Sequence, residues 1–231
     1  MSHGAAGDDE INDEYRLTFF PGYKITDNVN GFGYVGYVFN PDVDYSSYYL
    51  ETGLTYSPAK WLQIWGGLIG IYTDNEIKSD KLELRPFAGV KMFLPNDWDW
   101  RIYNFTRYEF RATEDLDTHD WSDVHRIRSR FGVEIPLGSR EKAWQPQSWY
   151  ALADVEPIYR FDRGTVDPLR FRAGLGYVMN NWVTLEFQYY AQFTRPNGGS
   201  LQYTDNIFRL NIKIAKQNGI LNRLLDVGFD D

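Results

Sequence analysis

The sequence predicts an all-β protein, an antiparallel transmembrane β-barrel of ten strands with a polar, arginine-rich lumen. Three observations carry this. Between Trp121 and Leu137 the chain alternates: Arg126, Arg128, Arg130, Gly132 and Glu134 fall on one side, and Ile127, Phe131, Val133, Ile135 and Leu137 on the other, with Ser129 alone breaking the apolar row. A period of two means an extended strand with unlike faces. Three successive arginines are costly on a packed core face but suit a wall between lipid and an ion-paired lumen. Second, aromatic residues make up 17% of the 231 residues, as expected where strands carry girdles at two membrane interfaces. Third, no apolar run approaches the roughly 20 residues of a spanning helix, which excludes a helical membrane protein and leaves a barrel open.

The ten segments are 14–25, 46–57, 61–73, 80–94, 99–113, 121–137, 148–161, 166–179, 182–194 and 202–215. Most alternate cleanly. In 166–179, Leu169, Phe171, Ala173 and Leu175 oppose Arg170, Arg172, Gly174 and Gly176; in 202–215, Phe208, Leu210 and Ile212 oppose Arg209, Asn211 and Lys213. Segments 61–73 and 99–113 are less regular, and Asn104 and Thr106 would face lipid unless a bulge re-aims them. The stretch Phe32–Phe39 also reads as a strand, but an eleventh strand breaks parity. It is expected in the first outer loop, as a hairpin above the membrane. Twelve strands is the alternative count.

Tight connections at Pro58–Lys60, Pro95–Trp98 and Asn180–Asn181 are expected as periplasmic turns, with the ten-residue 138–147 as the exception on that side. The longer stretches 26–45, 74–79, 114–120 and 195–201 are expected outside, and with ten strands both termini lie in the periplasm. Residues 1–13 are expected as a disordered acidic N-terminus, 14–215 as one barrel domain, and 216–231 as a C-terminal tail. The start, MSHGAAGDDEINDE, has no apolar signal region, so export implies a signal peptide already removed. No cysteine is present, which excludes disulfides and thiolate metal sites, and the net charge of −8 argues against nucleic acid as a partner.

On YLETGLTY (49–56), KLELRPFAGVK (81–91), RYEFR (107–111), HRIRSRFGVEIPL (125–137) and LRFRAGLGYVMNNWVTLEFQYY (169–190), the chain resembles a family of bacterial outer-membrane barrels catalogued only as a domain of unknown function, number 2490. The resemblance implies an outer-membrane barrel. It brings no activity and no functional residues to carry over.

With the charged faces inward, the lumen's basic cluster is Arg85, Arg107, Arg111, Arg126, Arg128, Arg130, Arg170, Arg172 and Arg209, with Glu83, Glu109, Glu134, Glu156 and Glu186 as acidic partners. For the arginines at 126–130 and 170–172, the nearest partners expected are Glu134, Glu156 and Glu186. Two functions fit such a lumen. A basic ladder in a low-dielectric tube concentrates small acidic solutes and makes a narrow, anion-favouring pore. A lumen filled by its own ion pairs makes a closed structural barrel. Trp61, Trp98, Trp100, Trp121, Trp149 and Trp182 stand near strand ends and read as interface anchors, so membrane lipid and lipopolysaccharide are the expected surroundings.

A lipid-modifying enzyme would need more than the loop THDWSDVH, whose His119, Ser122 and His125 are merely close in sequence. A soluble lipocalin-like binder would reverse the two faces. No catalytic residue, cofactor or metal ligand is assigned, and the sequence does not speak to oligomeric state.

Overall fold

The period-two pattern is realised as eleven strands closed into one barrel. The computed structural model describes residues 11–215 apart from 43 and 77. The expected 216–231 tail and most of the acidic N-terminus lie outside the described residues. The strands are β1 (Asn12–Lys24), β2 (Val29–Asn40), β3 (Tyr45–Ala59), β4 (Leu62–Asn75), β5 (Lys81–Leu94), β6 (Arg101–Asp115), β7 (Trp121–Leu137), β8 (Ser148–Arg160), β9 (Thr165–Val178), β10 (Val183–Thr194) and β11 (Gln202–Ile214). Each of the ten expected segments is a strand, within two residues at either end.

The count of ten is corrected by β2. Phe32–Phe39 lies in the wall, with Val29–Asn40 paired to β3 along its whole length and to β1 on the other side. The parity argument fails because the barrel closes through a parallel pair: β1 runs alongside β11 from Asn12↔Asp205 to Pro21↔Ile214, while all other neighbours are antiparallel. The sheet is therefore mixed, and the two ends of the barrel chain, near residues 12 and 215, sit at opposite rims. The expectation of both termini on one side falls with it. So does the contrast between long and short loops, since most of the supposed first outer loop is strand. One rim carries the loops 25–28, 60–61, 95–100, 138–147 and 179–182; the other carries 41–44, 76–80, 116–120, 161–164 and 195–201. The Asn180–Asn181 turn is a four-residue connection in which Asn180 Oδ1 accepts from the backbone amides of Trp182, at 2.8 Å, and Val183, at 2.9 Å.

Alternation divides the side chains between two environments. Leu17, Leu50, Leu68, Phe131, Phe187 and Leu210 are exposed on the outer face. The outer face also carries two aromatic belts. At the second rim, Tyr15, Phe39, Tyr37, Tyr48 and Tyr72 form a continuous chain of ring contacts with centroids 5.0 to 6.4 Å apart. At the first rim stand Trp61, Trp98, Trp100, Trp149 and Trp182, all exposed; Trp121 alone belongs to the opposite rim. Along β3, Tyr48 and Tyr56 are eight residues apart, and along β8, Trp149 and Tyr159 are ten apart. At ~3.4 Å per residue and a tilt of ~40°, those spacings project to about 21 and 26 Å along the barrel axis.

The lumen is only half polar. Around β1–β6 it is filled by an aromatic and aliphatic cluster that includes Phe20, Phe32, Trp65, Ile69, Phe87 and Phe105. Glycines make the room. A Cβ on Gly53 would stand 2.4 Å from the ring of Phe32, and one on Gly132 would stand 2.5 Å from the ring of Tyr103. The bulge expected at Asn104 and Thr106 is absent, and β6 pairs with β7 without a register shift. Both residues do face outward, and they satisfy one another: Asn104 Nδ2 donates to Ser129 Oγ at 2.9 Å, Thr106 Oγ1 donates to Asn104 Oδ1 at 3.1 Å, and the Thr106 and Ser129 hydroxyls lie 2.7 Å apart.

Candidate functional site

The charged half of the lumen is built by strands β5 to β11, whose inward positions carry the arginines. Pairing sets Arg107 directly opposite Arg128, and Arg126 opposite Arg160, across neighbouring strands. Like charges so placed repel, and carboxylates interleaved two residues along offset this. Glu109, wholly buried, accepts from Nε of Arg107 and Nε of Arg126 and lies 3.5 Å from Arg128 Nη1. Glu156 accepts from Arg128 Nε at 2.9 Å and Nη2 at 2.5 Å, and from Arg130 Nη2 at 3.0 Å. The Arg128–Glu156 pair is thus bidentate, the geometry in which guanidinium and carboxylate bind best.

Beyond this knot the network continues through further ion pairs and through neutral hydroxyl and amide groups. Arg172 donates to Asp154 Oδ2 from Nε at 2.5 Å and to the Tyr103 hydroxyl at 3.1 Å. Arg209 donates to Tyr34 at 2.9 Å, Tyr190 at 3.3 Å and Thr18 at 3.1 Å. Glu186 receives Lys213 Nζ at 2.5 Å, Gln188 Nε2 at 2.6 Å, and the Tyr150 hydroxyl. Glu134 pairs with Arg101 at 3.4 Å.

The structure therefore brings Arg128 and Arg130 onto Glu156. It gives Arg126 to Glu109, Arg172 to Asp154, Glu134 to Arg101, and Glu186 to Lys213. Asp154 faces inward as its parity implies, whereas the phenols of Tyr34, Tyr103 and Tyr190 are additional members of the network. Their inward parity was the signal that could have found them.

Toward the rim with loops 161–164 and 195–201, the lumen opens into a cavity of about 450 Å³ lined by seven guanidinium groups and two carboxylates, Glu83 and Asp167. Glu83 takes both Arg85, at 2.6 Å, and Arg111, with Nε at 2.7 Å. Arg163 binds Asp167 at 2.5 Å, Arg160 binds Asp162 at 2.7 Å, and Arg170 Nε donates to Gln192 Oε1 at 2.6 Å. Among the described residues, the guanidinium of Arg195 donates only to backbone carbonyls, Val166 at 3.1 Å and Gly199 at 3.0 Å. Arg126 is 4% exposed, and its Nη2 has no hydrogen-bond partner among the described residues.

In the THDWSDVH stretch, His125 Nε2 lies 3.8 Å from Asp123 Oδ2. His119 sits on Glu114 at 3.1 Å, while His125 packs against Phe110 with ring centroids 4.9 Å apart and meets the Tyr108 hydroxyl. Among the described residues no cluster of His, Asp or Glu is placed to hold a metal ion.

No curated protein matches the chain. The family described as protein of unknown function, DUF2490, matches residues 5–203, which spans ten of the strands completely and the first residues of β11. The match takes in both halves of the lumen and all seven arginines of the rim cavity, so this closed eleven-stranded barrel belongs to the DUF2490 family.

Proposed function

We propose that this protein is a bacterial outer-membrane β-barrel with a sealed lumen, a structural barrel rather than a conducting pore. The observation that carries the sealed lumen is its packing. Arg107, Arg128, Arg209, Trp65, Lys91 and Tyr190 are each at most 2% exposed, from opposite sides of the barrel. A water-filled path would leave such side chains hydrated, and barrels with few strands are filled by their own side chains. The membrane setting is supported by the inversion of burial. Large apolar side chains stand exposed outside while charges are buried within, and the two aromatic belts are spaced close to the ~25 Å apolar band of outer-membrane barrels. Lipid and, at the outer leaflet, lipopolysaccharide are then its surroundings. We assign it no catalytic activity.

The test is planar-bilayer recording of the refolded protein, with heat-shifted gel mobility and detergent dependence as the measure of the membrane setting. The expected result is a heat-modifiable, detergent-requiring protein that gives no single-channel steps. Regular steps with an anion-selective reversal potential would overturn the sealed lumen. Solubility and folding without detergent would overturn the membrane setting.

A further inference from the structure

The rim cavity lies over the buried ion pairs that Glu83 and Glu109 make with Arg85, Arg111 and Arg126. Its chemistry is one-sided. Seven guanidinium groups face two lining carboxylates, and the Glu109 and Asp162 carboxylates that pair with Arg126 and Arg160 do not restore the balance. A cluster of arginines can be a solvated surface, but this one holds a buried donor that no acceptor among the described residues meets: Arg126 Nη2. Leaving a charged donor buried and unmatched is costly, and such a group marks a place where an acceptor belongs. Arg195 adds a second guanidinium that, among the described residues, meets only carbonyl oxygens. The two belong to different parts of the wall, Arg126 to β7 and Arg195 to the loop after β10.

We propose that this cavity binds a small anion carrying at least two carboxylate or phosphate groups, one held at Arg126 and the other at Arg195. Guanidinium groups bind both oxyanions in a planar, bidentate manner, which a lysine cluster would not do. A volume of about 450 Å³ is within the ordinary range for small-molecule pockets and suits a diphosphate, a tricarboxylate or an acidic sugar. Thr73 of β4 and Thr194 of β10 also line the cavity and offer hydroxyl groups to such a ligand. The inference stands on the cavity and holds whether or not the barrel crosses a membrane or conducts.

The same chemistry could be met by a free solute or by the phosphates of lipopolysaccharide. Calorimetric titration of the detergent-solubilised full chain with pyrophosphate and with citrate, and separately with lipopolysaccharide micelles, distinguishes them. Sodium acetate at matched ionic strength is the control. The expected result is one pyrophosphate or citrate per chain, with affinity lowered at least tenfold by Arg126→Gln and by Arg195→Gln, and unchanged by Arg140→Gln at the opposite rim. Arg195 is partly exposed, and among the described residues its guanidinium binds only carbonyls, so its variant tests the site even where Arg126→Gln fails to fold. Binding of the micelles alone, lost in the same two variants, supports the site and assigns it to a lipid-borne phosphate. No binding of any probe at millimolar concentration, or binding that Arg195→Gln leaves intact, overturns the proposal.

Discussion

Replacing Glu109 by glutamine tests whether the middle of the lumen is dry. Glu109 is 0% exposed, and three arginines approach its two oxygens. Glutamine keeps the shape and one acceptor but removes the negative charge, leaving Arg107 and Arg126 side by side on neighbouring inward positions. Breaking a buried ion pair by removing one partner costs about 3–5 kcal/mol, because the remaining charge is stranded. With a urea slope near ~3 kcal/mol/M for a domain of this size, the unfolding midpoint should fall by about 1–2 M. The assay is reversible urea unfolding in thin-bilayer vesicles, followed by the fluorescence of the eight tryptophans. If water filled the lumen, the knot would behave as exposed pairs do, at about 0.2–1 kcal/mol, and the midpoint would move by less than about 0.3 M. Arg140→Gln, which breaks the exposed 2.5 Å pair with Asp99, is the internal standard for that outcome. A Glu109→Gln midpoint shift no larger than the Arg140→Gln shift would refute the sealed lumen.

Leu210 faces outward midway along β11, between Leu17 and Phe187 on the neighbouring strands. Leu210→Arg should lower folding stability in vesicles by about 2–4 kcal/mol; an unchanged value would show that this face does not meet hydrocarbon. Asp27 lies in the loop after β1, where the Lys24 ammonium at 2.6 Å holds its carboxyl below the ordinary carboxylate range, by hydrogen bonding first and by charge second. A lowered native pKa means that any stability from this pair is present above the unfolded value near ~3.9 and fades as pH falls through the native one. In Lys24→Met the carbon-NMR titration midpoint of Asp27 should rise toward ~3.9, and an unmoved midpoint would remove the pairing.

Most strands were legible because they had two unlike faces over ten or more residues, and Arg126–Arg130 against Ile127–Phe131 shows why. A slip of one residue would exchange charge and hydrocarbon, so register and orientation follow together. The partnerships were less legible. Sequence spacing places Arg126 on a face but does not say whether Glu109 or Glu134 stands beside it; that depends on the stagger between β6 and β7. Glu109 pairs across from Arg126, and Glu134 across from Arg101. The apolar half of the lumen was hidden in β4, where Trp65, Ile69 and Ile71 on the inner face and Ile64, Leu68 and Tyr72 on the outer face cancel the alternation. Phe32–Phe39 reads as a strand in the sequence, and parity excludes it from the wall only if the barrel closes antiparallel, whereas β1 and β11 are parallel.

The parallel seam between β1 and β11 limits how the chain can be rewired. In a barrel of alternating strands closed antiparallel, the first and last residues share a rim, and a short loop can join them to begin the chain elsewhere. Here such a loop would have to travel the full height of the wall from residue 215 to residue 12. The lumen is a poor route, because Trp65, Arg107, Arg128 and Tyr190 crowd its middle at no more than 2% exposure. A linker laid along the seam would run opposite to both β1 and β11, and extended backbone in that position pairs with each of them. It would be a twelfth strand, turning one parallel junction into two antiparallel ones. A circularly permuted form of this protein would therefore gain a strand or fail to close.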